Sequence, residues 1–270
     1  MQKRIMITDS HCHLASGRFT DEERAGIIRN AVDAGVHRMV TLATCLGDVQ
    51  KNLDLANDQH VRAAIGIHPC DVHSAPDDAL EILSQHVSDP RVCAIGETGL
   101  DYFHPAPDGW SEASFRKRQQ DFLRQHFELA AKAGLNVVIH TRDKEGAASF
   151  EDALAIYGEF SEKVRAVFHC FISGWDLAER VLAKGGLVSF GGVATFKKAE
   201  LVKETVKRCP AGSFMLETDS PYLAPVPMRG KRNEPAFTMH TARAISDQRG
   251  EAMEDLAAHT EDAVVKFFRK

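Results

Sequence analysis

The sequence predicts an α/β fold, a (β/α)8 barrel of the TIM type, built as a single domain over residues 1–270. Short runs rich in Val, Ile and Leu alternate with longer amphipathic stretches, which is typical of repeated strand-helix units. Eight such units fit a chain of 270 residues, because barrels of this kind usually take about 250. Residues of metal-ligand type also fall near the ends of the predicted strands, where barrels of this class carry their active sites.

The individual elements follow from this alternation. The strands are predicted at residues 4–9, 38–43, 61–67, 91–96, 136–140, 164–169, 187–190 and 214–218. The clearest helix is predicted at 114–133, where Phe115, Phe122 and Leu129 recur at helical spacing and Gly134 provides a left-handed end. No Pro/Gly/Ser-rich linker, repeat or low-complexity tract divides the chain, so we expect one domain.

Composition limits the class of protein. The net charge of -5 argues against a nonspecific nucleic-acid coat protein, which usually presents a strongly basic face. A nuclease remains compatible with this charge, because bound divalent cations supply positive charge where a phosphate is cleaved.

The sequence also indicates a compartment. No apolar run approaches the roughly 20 residues of a membrane helix, and the first residues do not read as a secretory signal. The 6 cysteines are scattered without a C-x-x-C pair. We therefore expect a soluble, cytoplasmic protein with reduced thiols, with no membrane partner and no obligatory protein partner.

The most specific local signal is the pair His11 and His13, which follows the first predicted strand. Alternate residues of a strand project to one face, so the two imidazoles can grip one metal ion. Five further residues of ligand type follow or close other predicted strands: His68, Glu97, His140, His169 and Asp219. The remaining histidines considered are interpreted as surface or helix residues without a metal role: His37, His60, His73, His86, His126, His240 and His259.

With His68 set aside as a substrate contact, four imidazoles and two carboxylates remain, which exceeds what one tetrahedral ion with an open position requires, so two divalent cations are predicted. In this hypothesis His11, His13 and Asp219 hold one ion, and His140 and His169 hold the other. Glu97 bridges them, and the bridging Glu97 and proton-accepting Asp219 are the catalytic residues around a two-metal-activated water. Imidazole-rich ligation favours Zn, Mn or Co over Mg, although cellular supply can override affinity.

Other residues are predicted to support this site. Asp9 and Glu217 share strand faces with proposed ligands and would lie behind them; Glu217 could orient a ligand, bind a further ion or be purely structural. Four residues are candidate substrate contacts: His68, Arg142, Arg229 and Lys231. Arg142 could instead pair with a site carboxylate, and the basic loop at 225–235 could simply be solvated.

Several strings of this chain match one known family. They are D-S-H-C-H-L at 9–14, G-I-H-P at 66–69, G-E-T-G-L-D-Y at 96–102, V-I-H-T-R-D at 138–143, F-H-C-F at 168–171, T-F-K at 195–197, E-T-D-S-P-Y-L-A-P at 217–225 and R-G-K at 229–231. Through these strings the chain resembles the TatD-related metal-dependent deoxyribonucleases. The resemblance covers residues 9–235 in order, and the longer strings are highly specific.

The resemblance implies a (β/α)8 fold and two-metal hydrolysis of DNA phosphodiesters, with DNA as the partner, single-stranded or at strand ends. It also implies metal binding by His11, His13, Glu97, His140, His169 and Asp219. Three positions depart from the family pattern and concern the loops rather than the ligands: Ala15, Asn136 and Lys144.

Two other functions remain open at this point. A bimetal lactonase, amidase or phosphotriesterase could use the same barrel, because a metal-activated water attacks carbonyl as well as phosphoryl centres. A catalytically silent binding protein is the second alternative, although the complete ligand set argues against it.

Overall fold

The computed structural model describes residues 5–268, which contain one parallel sheet of 8 strands in chain order. The strands are β1 (Ile7–Cys12), β2 (Val36–Leu42), β3 (Val61–Ile65), β4 (Val92–Asp101), β5 (Val137–Arg142), β6 (Ala166–Phe168), β7 (Leu187–Phe190) and β8 (Phe214–Leu216). The helices are α1 (Asp21–Ala34), α2 (Leu46–Leu55), α3 (Ala79–Ser84), α4 (Glu112–Ala133), α5 (Ala148–Phe160), α6 (Trp175–Ala183), α7 (Glu200–Arg208), α8 (Thr238–Arg249) and α9 (Met253–Phe267). The predicted fold class is confirmed.

The sheet closes on itself between β1 and the segment that follows β8. Cys12 and Ser220 form a parallel bridge. Asp219 N donates to His11 O at 2.9 Å, and His13 N donates to Ser220 O at 2.8 Å. Backbone pairing across the closure therefore brings His11 and His13 next to Asp219, although these residues are far apart along the chain.

The other end of the barrel is plugged by the C-terminal helix. Inward-facing strand residues such as Val40, Ala64 and Val138 form a fully buried apolar cluster with Phe267 and Phe268. Burial of this surface at one end leaves the carboxyl ends of the strands as the open face, where polar side chains can meet a substrate.

Asn136 ties this plug to the sheet, which gives a structural reason for one departure from the family pattern. Its Nδ2 donates to Phe267 O at 2.6 Å, and its Oδ1 accepts from Arg165 N at 3.0 Å. The pattern that the chain resembles usually has a proline at this position, and a proline would lack the side-chain amide that makes both hydrogen bonds.

Two strand boundaries differ from the prediction in a way that matters for the site. The first strand was expected at 4–9, but it extends to Cys12 and contains His11; residue 4 lies outside the described range. The fourth strand was expected to end at 96, but β4 runs to Asp101 and contains Glu97. Polar residues interrupt the apolar pattern there, while pairing with β5 resumes after an irregularity between Ile95 and Thr98.

This continuation of β4 depends on a close approach of two backbones. Gly99 has φ +146°, and a Cβ at this position would collide with the carbonyl oxygen of His140. Only glycine fits such a contact without displacing the neighbouring strand. Gly99 therefore allows Glu97 and His140, on adjacent strands, to stand side by side.

His126 was expected to be a surface or helix histidine, and the structure places it on α4 but fully buried. Its Nε2 accepts from Ile67 N at 3.1 Å, and its Nδ1 donates to Phe122 O at 2.7 Å. Burial lowers the pKa of His126 to about 4. The neutral ring thus anchors the end of the segment that carries His68.

Within residues 5–268, none of the helices combines the length and the apolar composition that a bilayer crossing requires.

We expect His126 to make the free energy of unfolding depend on pH. The unfolded chain protonates His126 below its ordinary pKa of about 6.5, whereas the folded chain resists protonation until about pH 4, so stability is lost as the pH falls between these values. Urea unfolding measures how far the free energy of unfolding drops between pH 7 and pH 5. We expect this drop to be roughly 2 kcal/mol smaller in His126→Gln than in the unmodified protein. An equal loss in both proteins would contradict this role.

Candidate metal centre

A cavity of about 890 Å³ opens at the carboxyl ends of the strands. Its size lies within the usual range for small-molecule and cofactor sites. Most of the predicted site residues line it: His13, His68, Glu97, His140, Arg142, His169 and Asp219. Arg229 and Lys231 are not among its lining residues.

Glu97 occupies the centre of this cluster, and its two carboxylate oxygens face different imidazole groups. Oε2 lies 3.5 Å from His11 Nε2 and 3.4 Å from His13 Nε2. Oε1 lies 3.0 Å from His140 Nδ1 and 2.9 Å from His169 Nε2. One buried carboxylate thus connects two pairs of histidines that come from three different strands or strand ends, β1, β5 and β6.

The first group consists of His11, His13 and Asp219. Asp219 Oδ1 lies 3.4 Å from His13 Nε2 and 3.9 Å from His11 Nε2. These ligand atoms all lie within 4.8 Å of one another, which is the spacing that a single cation could span.

The second group consists of His140 and His169 together with His68, which the sequence had assigned to substrate contact. His68 Nε2 lies 3.6 Å from Glu97 Oε1. The ligand atoms of His68, Glu97 and His140 also all lie within 4.8 Å of one another. The structure therefore places His68 within reach of a cation as well as of a substrate.

Several ring nitrogens in the site lie close to one another as well as to Glu97. His11 Nε2 and His13 Nε2 are 3.2 Å apart, and His140 Nδ1 and His169 Nε2 are 3.4 Å apart. A neutral imidazole carries one acceptor nitrogen, so converging nitrogens present lone pairs to a common point. Imidazole nitrogens and carboxylate oxygens are the donors that Zn, Mn and Co accept. The residues present therefore fit divalent cations.

The pKa values of the site describe the same charge balance. Burial alone would raise the pKa of Glu97, but the surrounding imidazoles hold it well below its usual value. Burial would lower the pKa of His13, yet Asp219 and Glu97 raise it to about 9, and Glu97 and Glu217 likewise raise the pKa of His169. Without cations, protons on imidazoles balance the buried carboxylates; bound cations would provide the same positive charge.

Glu217 lies directly behind His169. Its Oε1 accepts from Cys170 N at 2.8 Å and stands 3.6 Å from His169 Nδ1, while its Oε2 accepts from the Ser189 hydroxyl at 2.5 Å. A carboxylate behind a ligating imidazole fixes the ring and increases its basicity. This position matches the ligand-orienting alternative among those open for Glu217.

Asp9 holds Thr218 rather than an imidazole ring. Its Oδ1 accepts from Thr218 N at 2.9 Å, and its Oδ2 accepts from the Thr218 hydroxyl at 2.6 Å. Burial raises the pKa of Asp9 to about 8 despite these hydrogen bonds. Asp9 therefore clamps the end of β8 to β1, which sets the position of Asp219.

Three non-glycine residues that line the cavity have left-handed backbones: Asp219, Cys170 and Leu223. Asp219 has φ +56° and Cys170, which follows His169, has φ +47°. Such conformations cost free energy and persist where the surrounding structure holds them, often at functional sites. The strain is a further sign that the position of Asp219 is determined by the site rather than by local preference.

Two arginine side chains near the rim of the cavity lie over aromatic rings. The Arg142 guanidinium lies 4.1 Å from the centroid of Phe103, and the Arg18 guanidinium lies 5.0 Å from that of Tyr222. Tyr102 is buried and does not offer its ring face to the cavity; its hydroxyl donates to Asp152 Oδ2 at 2.8 Å.

The basic loop is less available than the sequence suggested. Arg232 forms an ion pair with Glu23 at 2.8 Å, and the Arg229 guanidinium stacks at 4.0 Å over Phe196. Arg229 and Lys231 therefore stand outside the cavity, where only a substrate longer than the cavity could reach them.

Asp101, His104 and Cys70 were not assigned from the sequence. Asp101 is fully buried, and its Oδ2 lies 3.2 Å from His140 Nε2 and 2.9 Å from His104 Nδ1. The available signal was the even spacing of Glu97, Gly99 and Asp101, which places the two carboxylates on one strand face. The predicted end of the strand at 96 concealed it.

The comparisons with known proteins agree with this geometry. The family model described as TatD related DNase matches residues 8–269. An uncharacterized metal-dependent hydrolase of Bacillus subtilis, YabD, is 31% identical, and the match covers 98% of this chain and 99% of YabD. A second such hydrolase, YcfH of Escherichia coli, is 33% identical over 98% of this chain and 96% of its own length.

The fold is shared with a solved member of the same group. The crystal structure of YjjV, a TatD homologue of Escherichia coli, superimposes with a TM-score of 0.87 at 26% identity, and covers 98% of this chain and 99% of YjjV. The chain therefore belongs to the family of TatD-related metal-dependent hydrolases.

Proposed function

We propose that the protein is a deoxyribonuclease that hydrolyses phosphodiester bonds with the help of two divalent cations. The observation that carries the two-cation part is the position of Glu97, whose oxygens each face a different group of imidazoles at 2.9 to 3.5 Å. The family description, TatD related DNase, supports DNA as the substrate.

In this proposal His11, His13 and Asp219 hold one cation, and His140 and His169 hold the other. Glu97 would lie between the two cations, and His68 is close enough to Glu97 to complete the second group or to meet the substrate. Such cations lower the pKa of a bound water and neutralise charge on phosphoryl oxygens. Which metal binds depends on the availability of each metal in the cell as well as on the affinity of the site, and Zn, Mn, Co and Mg are the candidates.

Asp219 accepts the proton of the attacking water in this scheme. Burial would raise its pKa, but the hydrogen bond with His13 keeps the pKa below its ordinary value, so the carboxylate is charged and able to accept. Its side chain is 15% exposed, which leaves it accessible from the cavity. Glu97, at 4% exposure, is shielded and serves to hold the centre together.

The rim supports a polymeric, base-bearing substrate. Tyr222 is 44% exposed and Ile172 is 53% exposed at the cavity, and apolar surfaces of this kind fit the faces of nucleobases. Arg142 lines the same cavity and offers a guanidinium to a phosphate. Single-stranded DNA or a frayed strand end presents both groups together, so we expect it to be preferred over intact duplex.

Glu217→Gln should weaken cation binding while the fold is retained. The substitution removes the negative charge behind His169, and losing such an orienting carboxylate typically costs about 10 to 100-fold in metal affinity. Competition titration with a metal indicator measures this. Ser189→Ala is the matched control, because it removes the hydroxyl on the far oxygen of Glu217 and keeps the contact with His169. Equal affinities in all three proteins would exclude the orienting role.

Glu97→Gln should lower the rate of cleavage of single-stranded DNA by roughly a thousandfold, because the cations supply several kcal/mol of charge stabilisation that a bridging carboxylate makes possible. The assay uses defined DNA ends and metal-free protein reconstituted separately with Mn, Co, Zn and Mg.

Arg142→Ala in the same assay should raise KM and reduce its salt dependence, because one phosphate contact is lost. Arg124→Ala is the control, since Arg124 pairs with Glu159 and does not line the cavity.

DNA left intact with every cation, together with metal-dependent cleavage of a lactone or an aryl ester, would replace the nuclease proposal with another hydrolase activity.

A further inference from the structure

A second cluster of ligand-type side chains lies at the mouth of the barrel, beside the proposed pair of cations. Cys70 lies in the segment that follows β3, Asp101 ends β4, and His104 follows three residues later. His104 Nδ1 lies 2.9 Å from Asp101 Oδ2 and 3.6 Å from Cys70 Sγ, and the three ligand atoms all lie within 4.8 Å of one another.

The surrounding structure holds each member in place. Asp101 Oδ1 accepts from the backbone N–H groups of Phe103 and His104 at 3.0 and 2.9 Å, which leaves Oδ2 directed at the cluster. Cys70 N donates to His68 Nδ1 at 3.1 Å, and Cys70 O accepts from His73 Nδ1 at 2.8 Å. The backbone N–H and the backbone carbonyl of Cys70 are thus both held by hydrogen bonds, which fixes the point from which the thiol extends.

The arrangement does not suit nucleophilic catalysis by a Cys-His-Asp triad. In a triad the nucleophile and the carboxylate contact opposite nitrogens of the imidazole, so that one orients the ring and the other loses its proton to it. Here Cys70 and Asp101 both approach Nδ1 of His104. Three donor atoms converging on one point is instead the geometry of a cation site.

The geometry points to a third divalent-cation site of the zinc type, held by Cys70, Asp101 and His104. One thiolate, one imidazole and one carboxylate form a borderline-soft set that favours Zn over Mg. On binding, the Cys70 thiol releases its proton to solvent and its sulfur forms the bond to the cation. Nothing in this assignment requires that the substrate be DNA.

The site adjoins the proposed pair and opens to the same cavity. Asp101 Oδ2 is shared with His140 Nε2 at 3.2 Å, so the carboxylate connects the two centres. Asp101 and His104 line the cavity, and the His104 side chain is 47% exposed. Three protein ligands leave a position open toward the cavity, where an anionic substrate group or water can bind.

Cobalt(II) titration of the metal-free, fully reduced protein tests the proposal, because a thiolate ligand produces a near-ultraviolet charge-transfer band that imidazole and carboxylate ligands lack. We expect this band in the unmodified protein and its loss in Cys70→Ser. Cys170→Ser is the matched control, since Cys170 also lines the cavity but lies outside the cluster, and it should keep the band.

His104→Gln provides a second variant, at a side chain that is 47% exposed. The Co²⁺ concentration that gives half of the maximal band intensity should rise by about tenfold or more. Tenfold is the lower end of the loss of metal affinity seen when a group that only orients a ligand is removed. Absence of the band in the unmodified protein, or its persistence in Cys70→Ser, would overturn the proposal. Each outcome is read from metal binding alone and is independent of nuclease activity.

Discussion

The site depends on one buried carboxylate that must be balanced by positive charge on both sides. Glu97 is nearly inaccessible to solvent, and an isolated carboxylate in that position would be strongly destabilised. Four imidazoles surround it at 2.9 to 3.5 Å. His13, His140 and His169, whose pKa values the carboxylates raise, can take up protons, and all four rings can direct lone pairs at cations. The requirement to neutralise Glu97 therefore links charge, metal binding and the arrangement of the strands.

The barrel supplies this arrangement by bringing together segments that are distant along the chain. The closure between β1 and Ser220 places His11 and His13 beside Asp219, and the Asp9 clamp on Thr218 holds that closure. These contacts join segments that are far apart along the chain, so the site forms only when the sheet is closed. Closure of the barrel and assembly of the site therefore occur together, and Asp9 contributes to both.

The sequence predicted much of this because its signals were periodic or local. The alternation of apolar runs predicted the eight strands, and the spacing of His11 and His13 predicted a shared face, which their 3.2 Å separation bears out. The end of β4 could not be predicted, since Thr98, Gly99 and Asp101 carry no apolar pattern and the strand continues through a backbone approach that only tertiary structure reveals. Asp101 and His104 were missed for that reason, and the burial of His126 was missed because helical position does not determine what packs against a helix.

The most direct test of the account is whether two cations share Glu97. Electron paramagnetic resonance of the metal-free protein titrated with Mn²⁺ distinguishes a bridged pair from separate ions, because ions joined by one carboxylate are magnetically coupled. The account predicts a coupled-pair spectrum in the unmodified protein that disappears in Glu97→Gln. A spectrum of isolated ions in the unmodified protein at every Mn²⁺ loading would contradict it.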